Sequence, residues 1–377
     1  MVVGAGPVGA FVAERLARRG NRVLIVEEHA RVGHPVRCTG LIGEEAFARF
    51  DLPADPVQHL VFSISVFGPL ETGLTLEAPR PLARVVDRAR FDDALTRRAL
   101  AAGAELLAGA RVQDVRVEND GVAVVLPRRD GVIRCRSVVL ACGGSSPLPV
   151  RLGFRRPRRY LFGAQVEVEM DGVRDVEVYV GRDIAPGSFG WVVPTAGNRA
   201  RIGALVYDRP RECLQALLAH RRVKARLRGV PPRPAVAPIP LGTLPATVSD
   251  RVLVVGEAAG QVKATTGGGV YYGLLCAEIA AEVLAEALRK DRLSGQHLAA
   301  YETGWRQLLE GEIRSGVRLR HLARRLSDRA AAHYLKLVAH NGLREALQRL
   351  VSFDWHAATV AALLKEERRR RLPLKAQ

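Results

Sequence analysis

The chain has 377 residues, 48% hydrophobic and 25% charged, which is ample for a sizeable core and excludes a disordered or collagen-like chain. Its 57 Lys+Arg against 39 Asp+Glu leave a net charge of +18, and only six of the cations are lysines. That balance admits nucleic acid, anionic lipid surfaces and phosphorylated ligands as partners and does not choose among them.

In chain order, the first thirty residues read as strand, turn, helix, strand. Met1 to Val3 is apolar, Gly4-Ala5-Gly6-Pro7-Val8-Gly9 is the turn, Phe11 to Arg19 has helical spacing, and Arg22 to Val26 is a buried strand closed by Glu27. The opening strand is shorter than the usual run of about five or six residues, so the expectation is that the natural start lies upstream of Met1. No signal peptide is read ahead of this turn. Residues 84–143 form a second α/β stretch: an amphipathic helix Arg90 to Ala102, alternating segments Ala110 to Val117 and Gly121 to Leu126, and an apolar strand Ser137 to Ala141. From about 160 to 206 the period falls to two, as in Gln165 to Glu169 and Val176 to Val180, which predicts a half-exposed antiparallel sheet. Pro231 to Pro240 reads as a linker back to a strand Arg251 to Val255. After Gly269 the pattern is helical almost to the end, with breaks near Ser294-Gly295 and Asn341-Gly342. The stretch Val270 to Leu288 carries Glu278, Glu282 and Glu286, too many charges for a bilayer span. The expected fold class is α/β. It comprises a Rossmann-like dinucleotide domain in two pieces (1–150 and 245–290), a β-rich substrate domain (151–244) and a C-terminal helical region (291–377).

Cys38, Cys135, Cys142, Cys213 and Cys276 are odd in number and scattered, with no CxxC pair. Neither a disulfide framework nor a metal site is expected, and a reducing, cytoplasmic compartment is implied. The histidines show no HxxxH or HExxH spacing.

Gly4-x-Gly6-x-x-Gly9, after a strand and opening a helix, has the form of the dinucleotide fingerprint. Its glycines allow the tight turn, the approach of backbone to a pyrophosphate and close helix–strand packing, and the helix N-terminus offers partial positive charge. Glu27 stands where a carboxylate accepts from ribose hydroxyls. NAD and FAD both fit this motif. The second motif, Asp250 to Gly260 followed by Thr265-Thr266-Gly267-Gly268-Gly269-Val270 and a long helix, resembles the second flavin motif of FAD oxidoreductases, and FAD is the expected cofactor. Glu257 replaces the usual aspartate there, adding a methylene.

Three further segments sharpen the resemblance: His34-Pro35-Val36-Arg37-Cys38-Thr39-Gly40-Leu41, Asp87-Arg88-Ala89-Arg90-Phe91-Asp92, and Phe189-Gly190-Trp191-Val192-Val193-Pro194 with Gly203. Together with the second motif they resemble the geranylgeranyl reductase family of FAD-dependent oxidoreductases, over roughly residues 1 to 320. The resemblance implies flavin contacts at Val8, Glu27, Cys38, Thr39, Leu41, Arg88, Val112, Glu257, Gly269 and Val270. It implies substrate contacts at Phe189 and Trp191, and a catalytic proton or electron relay at Cys38. Two readings of Cys38 stand, relay and small packing residue; Trp191 likewise reads as substrate contact or core aromatic. The implied reaction is reduction of C=C bonds in an apolar prenyl substrate, a lipid or quinone. The electron donor is NAD(P)H or a protein such as ferredoxin, since no second GxGxxG is encoded.

Motifs argue against two alternatives. Related hydroxylases carry Ala-Asp-Gly where this chain has Ala141-Cys142-Gly143, which argues against an NAD(P)H-using monooxygenase of small aromatics or polyketides. The Trp191 segment is also similar to the WxWxIP signature of flavin halogenases, yet the first lysine of this chain is Lys224, against the N-terminal lysine of that family. A non-catalytic flavin electron-transfer role is the remaining alternative. The arginine clusters at 155–159, 221–228, 324–325 and 368–371 lack the interleaved aromatics of single-strand binders, so nucleic acid is not expected. Each cluster by itself reads as a solvated arginine-rich face; taken together they offer a surface for anionic phospholipids on the inner face of the cell membrane.

Overall fold

The computed structural model describes residues 1–127, 131–340 and 352–357. The basic run at 368–371 and the expected break at Asn341-Gly342 lie outside the described residues. The helices are α1 (Pro7–Ala17), α2 (Glu44–Phe50), α3 (Arg88–Ala101), α4 (Leu148–Arg151), α5 (Pro210–Ala219), α6 (Arg221–Lys224), α7 (Val270–Lys290), α8 (Gly295–Arg325) and α9 (Asp328–His340).

The first sheet has the spatial order Val248–Ser249, Val252–Val254, Val138–Leu140, Val2–Val3, Leu24–Val26, Glu105–Leu107; every pairing is parallel except the first. Its side chains alternate between two cores, as strand geometry requires. Val2, Ile25, Val139 and Leu253 pack with α1, α3, α7 and α8 on one face. Val3, Val26, Leu140, Val252 and Val254 pack on the other face against the antiparallel meander Asp114–Val117, Val122–Leu126, Gly131–Cys135. The result is a three-layer arrangement of helices, parallel sheet and meander, with Trp305 of α8 fully buried in the helical layer and its indole N–H donating to Thr247 Oγ1 at 2.9 Å.

A second sheet is built on the strands Tyr160–Met170, Arg199–Val206, Ala185–Pro194 and Val176–Gly181, which pair antiparallel in that order. Val176–Gly181 then pairs in parallel with Ser63–Phe67, whose hairpin partner is Gly73–Glu77. These last two strands come from early in the chain, where the sequence reading assigned no element.

The expected linker Pro231 to Pro240 is corrected by the structure: Ala235–Pro240 is a strand paired antiparallel with Tyr160–Met170, from Tyr160 opposite Pro240 to Gln165 opposite Ala235. Pro238 and Pro240 have no N–H to donate, and a strand at a sheet margin does not require one. The segment Ala110 to Val117 becomes regular only at Asp114–Val117. A third, small sheet joins Leu41–Gly43, Ala83–Val86 and Val57–Val61, and carries the cysteine-bearing loop into the space between the two large sheets.

Candidate active site

The first turn is built by backbone proximity. Gly4 sits at φ +104°, and a Cβ there would meet the Ala141 carbonyl oxygen at 2.5 Å; a Cβ on Gly9 would meet the Gly4 oxygen at 2.0 Å. Gly6 caps α1 and faces open space, with nothing within 4 Å of a built Cβ. Pro7 follows at the first helical position, where its missing N–H costs nothing. Glu27, at the end of the second strand, is tied to this turn: its carboxylate accepts from Ala5 N–H at 2.9 Å and His29 N–H at 2.9 Å, and lies 2.8 Å from His29 Nδ1. Val8 wedges α1 against the second motif, since Cβ atoms on Gly256 and Gly273 would come within 3.1 Å and 2.4 Å of its methyls.

From this turn a cavity of about 960 Å³ runs between the two large sheets. Gly4, Gly6, Val8, Glu27, Cys38, Thr39, Leu41, Arg88, Val112, Phe189, Trp191, Glu257, Gly269 and Val270 all line it, so residues far apart in sequence share one wall. Gly9 does not line it and serves packing behind the turn. At the second motif, Glu257 lies in the short helix Gly256–Ala259, accepts from the Gly144 N–H, and has its pKa raised because burial disfavours the carboxylate. Gly267, at φ +77°, turns the chain, and Gly269 caps α7, whose first-turn N–H groups have no intrahelical acceptors. Cys142, standing in the loop after Val138–Leu140, has its thiol pushed up to about 11 by burial, so it is a neutral wall residue at pH 7.

The loop 35–41 is held by polar anchors. Cys38 Sγ accepts from Gly40 N–H at 3.4 Å and interacts with the Arg88 guanidinium. Arg88 does not point outward from its helix start; it forms a bidentate pair with Asp92, both contacts 2.9 Å, and is 13% exposed. Burial opposes the Arg88 charge, but Asp92 and Cys38 outweigh it and hold its pKa above the ordinary value. Thr39 Oγ1 donates to Gln165 Oε1 at 2.7 Å, joining the loop to the second sheet.

Sequence reading missed three groups here, Arg201, Lys263 and Phe353. Arg201, 4% exposed, donates to the carbonyls of Thr39 and Val86 at 2.6 and 2.9 Å and pairs with Glu167 at 2.9 Å; an arginine inside an apolar strand was the available signal. Lys263, 6% exposed between the halves of the second motif, pairs with Asp354 at 2.6 Å, and its Nζ sits 4.6 Å from the Phe353 ring centroid. Phe353 also lines the cavity, and the segment Ser352 to Ala357 is pinned by Glu312, which accepts from His356 N–H and Ala357 N–H. Trp191, an expected substrate contact, does line the cavity, and its Nε1 is buried with no partner among the described residues.

The family profile described as lycopene cyclase protein matches residues 1–330. A digeranylgeranylglycerophospholipid reductase of Methanocaldococcus jannaschii is 30% identical over 346 residues, 87% of each chain. The chain belongs to the geranylgeranyl reductase family. Among solved structures, a geranylgeranyl bacteriochlorophyll reductase-like protein of Thermoplasma acidophilum aligns with a TM-score of 0.86 at 22% identity over 98% of each chain. A flavin-dependent brominase aligns with 0.72 at 17% identity, also over 98% of each chain. These two likenesses show that the geranylgeranyl reductase family shares its fold with flavin halogenases. In this member of the family the first lysine, Lys224, follows the whole of the first motif and the cysteine loop. Among the described residues no group of His, Cys, Asp or Glu is arranged to hold a metal, and no helix is long and apolar enough to cross a membrane.

Proposed function

We propose that the protein is an FAD-dependent oxidoreductase that saturates C=C bonds in an isoprenoid chain carried on a lipid or quinone. The relatives' name points to a digeranylgeranyl glycerophospholipid as that carrier. The observation that carries the reading is one cavity joining a dinucleotide cradle to an apolar chamber. The residues present fit FAD. The open space at Gly6 and the N-terminus of α1 suit a pyrophosphate; Glu27 keeps free lone pairs for ribose hydroxyls; Val112, in the same wall, would meet the adenine through its backbone. Glu257 is a buried carboxylate that a ribityl hydroxyl would satisfy, and Gly269 and Val270, at the N-terminal end of α7, would meet the pyrimidine edge.

Reduced FAD, when bound, supplies the hydride. The chain's residues do the rest. Leu41, Ile64, Val176, Val178 and Val193 provide an apolar wall that excludes water from the alkene, and Phe189 and Trp191, 6.0 Å apart, set its position. Cys38, hydrogen-bonded by Gly40 N–H and flanked by Arg88, would give the proton to the second alkene carbon and regain it from solvent. NAD(P)H or a protein donor such as ferredoxin delivers electrons by transient docking. Exposed Arg155, Arg156, Arg158 and Arg159 support peripheral contact with an anionic membrane surface on the cytoplasmic side.

The test is anaerobic photoreduction of the bound flavin, followed by reoxidation against prenyl lipids, prenylquinones and oxygen. Reoxidation coupled to saturation of a prenyl chain is expected. Reoxidation only by oxygen, with hydroxylation of an aromatic, would overturn the assignment.

A further inference from the structure

Behind the loop Thr265 to Gly269, on the side away from the cavity, α8 makes an unusually close approach. A Cβ on Gly316 would lie 3.2 Å from the Ala264 side chain and 3.4 Å from Thr265 N. One turn further on the same face of α8 stands Arg320, 5% exposed. Its guanidinium donates to Ala264 O at 2.6 Å, Thr265 O at 2.7 Å and Ser188 Oγ at 2.8 Å, and lies 5.8 Å from the ring of Phe189, which lines the cavity. No carboxylate pairs with it among the described residues. Burial, opposed only by the Tyr207 phenol, pulls its pKa down to about 10, leaving it protonated at pH 7. The contrast with its neighbour is sharp: Lys263, on the same loop, is neutralised by Asp354 at 2.6 Å. Arg320 is thus an uncompensated buried cation one residue layer from the flavin-facing loop.

We propose that Arg320 is a positioning residue for the reduced cofactor: it draws the carbonyls of Ala264 and Thr265 toward α8, and its unpaired charge favours the anionic, two-electron-reduced flavin over the oxidised form. The inference rests on the FAD reading above and adds to it the source of the positive potential. Two carbonyls held by a planar fork fix the start of the loop that leads into α7, whose first-turn N–H groups have no intrahelical acceptors. A full charge in a poorly solvated site adds to the partial charge of the helix end.

The experiment measures the midpoint potential of the bound flavin by dye equilibration, in the absence of any prenyl substrate, on wild type, Arg320→Gln, Arg320→Lys and Ser188→Asp. Arg320→Gln is expected to lower the potential by about 30 mV, a tenfold fall in the preference for reduced over oxidised flavin. Ser188→Asp places a carboxylate beside the guanidinium, keeps Arg320 in place, and is expected to shift the potential in the same direction. Arg320→Lys retains the charge and is expected to stay nearer wild type than Arg320→Gln. If Arg320→Gln does not hold flavin, Ser188→Asp decides. A wild-type potential in Ser188→Asp, or equal falls in the Lys and Gln variants, would overturn the inference and leave Arg320 as a structural clamp. A wild-type chain that takes up no flavin overturns the FAD reading itself. Failure to reduce any prenyl lipid leaves the potential measurement intact.

Discussion

The Lys263–Asp354 pair offers the most quantitative test of how the cavity is closed. The two groups are 6% and 2% exposed and 2.6 Å apart, and they join the second motif to the segment that brings Phe353 into the cavity wall. At an effective dielectric of about 20, two unit charges at that distance attract by about 6 kcal/mol, and removing both from water offsets several of those. The net value of the intact pair is therefore small. Removing one partner is different, because the survivor stays buried: Lys263→Met strands the Asp354 carboxylate against Gly43, where a Cβ would sit 2.0 Å from its Oδ2, so there is no space to rotate away. Lys263→Met and Asp354→Asn should each cost about 3–5 kcal/mol. The double variant should lie within about 1 kcal/mol of wild type, giving a coupling of several kcal/mol. Equilibrium urea unfolding of the flavin-loaded protein, followed by tryptophan emission, supplies the cycle. Additive losses in the double variant would refute the reasoning, since they would mean that the two charges do not see each other.

Three further outcomes are expected. Gly9→Ala puts a methyl against the Gly4 carbonyl oxygen, so the turn must open; a loss of about 1–3 kcal/mol and weaker flavin retention should appear in thermal melts and in the bound-flavin absorbance. Cys38→Ala should retain flavin but slow prenyl-dependent reoxidation roughly 10²-fold; an unchanged rate would make Cys38 a packing residue. His356 has its pKa lowered from 6.5 to about 4, first by burial and then by the Lys263 charge, so the folded state binds a proton more weakly than the unfolded chain. Its contribution is complete above about pH 6.5 and is lost as pH falls toward 4. A His356→Asn variant should flatten that limb of the urea stability profile.

The parts of this site that were legible in sequence are those whose constraint is local. Gly4, Gly6 and Gly9 are fixed by backbone contacts within one turn, and Gly267 and Gly269 by the capping of the helix that follows, so spacing alone exposes them. Glu27 is readable because the strand delivers it a fixed distance after the turn. The strand Ala235–Pro240 was hidden because its prolines mimic a linker, and only the partner strand Tyr160–Met170 makes it regular. Arg201, Lys263 and Arg320 were hidden for another reason. Their partners lie far along the chain, at Val86, Asp354 and Ser188, and no periodicity records a contact of that range. Arg88 falls between the cases: its bidentate partner Asp92 is one helical turn away and visible, while its neighbour Cys38 is brought in by the small sheet.

The arginine excess takes on meaning from the same contacts. Arg201 reaches two carbonyls and Glu167, Arg320 reaches two carbonyls and a hydroxyl, and Arg88 grips Asp92 with two nitrogens. Arg201 and Arg320 use the planar fork to fix loops around the cavity and Arg88 uses it within α3, tasks that the single ammonium of lysine performs poorly. Among the described residues, lysine lines the cavity only at Lys263, where one short contact to one carboxylate suffices. These internal arginines set the shape and potential of the site, so they are not the ones a membrane would meet. The cations available to an anionic surface are those of exposed loops and helix ends, such as Arg155, Arg156 and Arg325. Weakening vesicle binding by neutralising that outer set should therefore leave flavin potential untouched, whereas changing Arg320 should do the reverse.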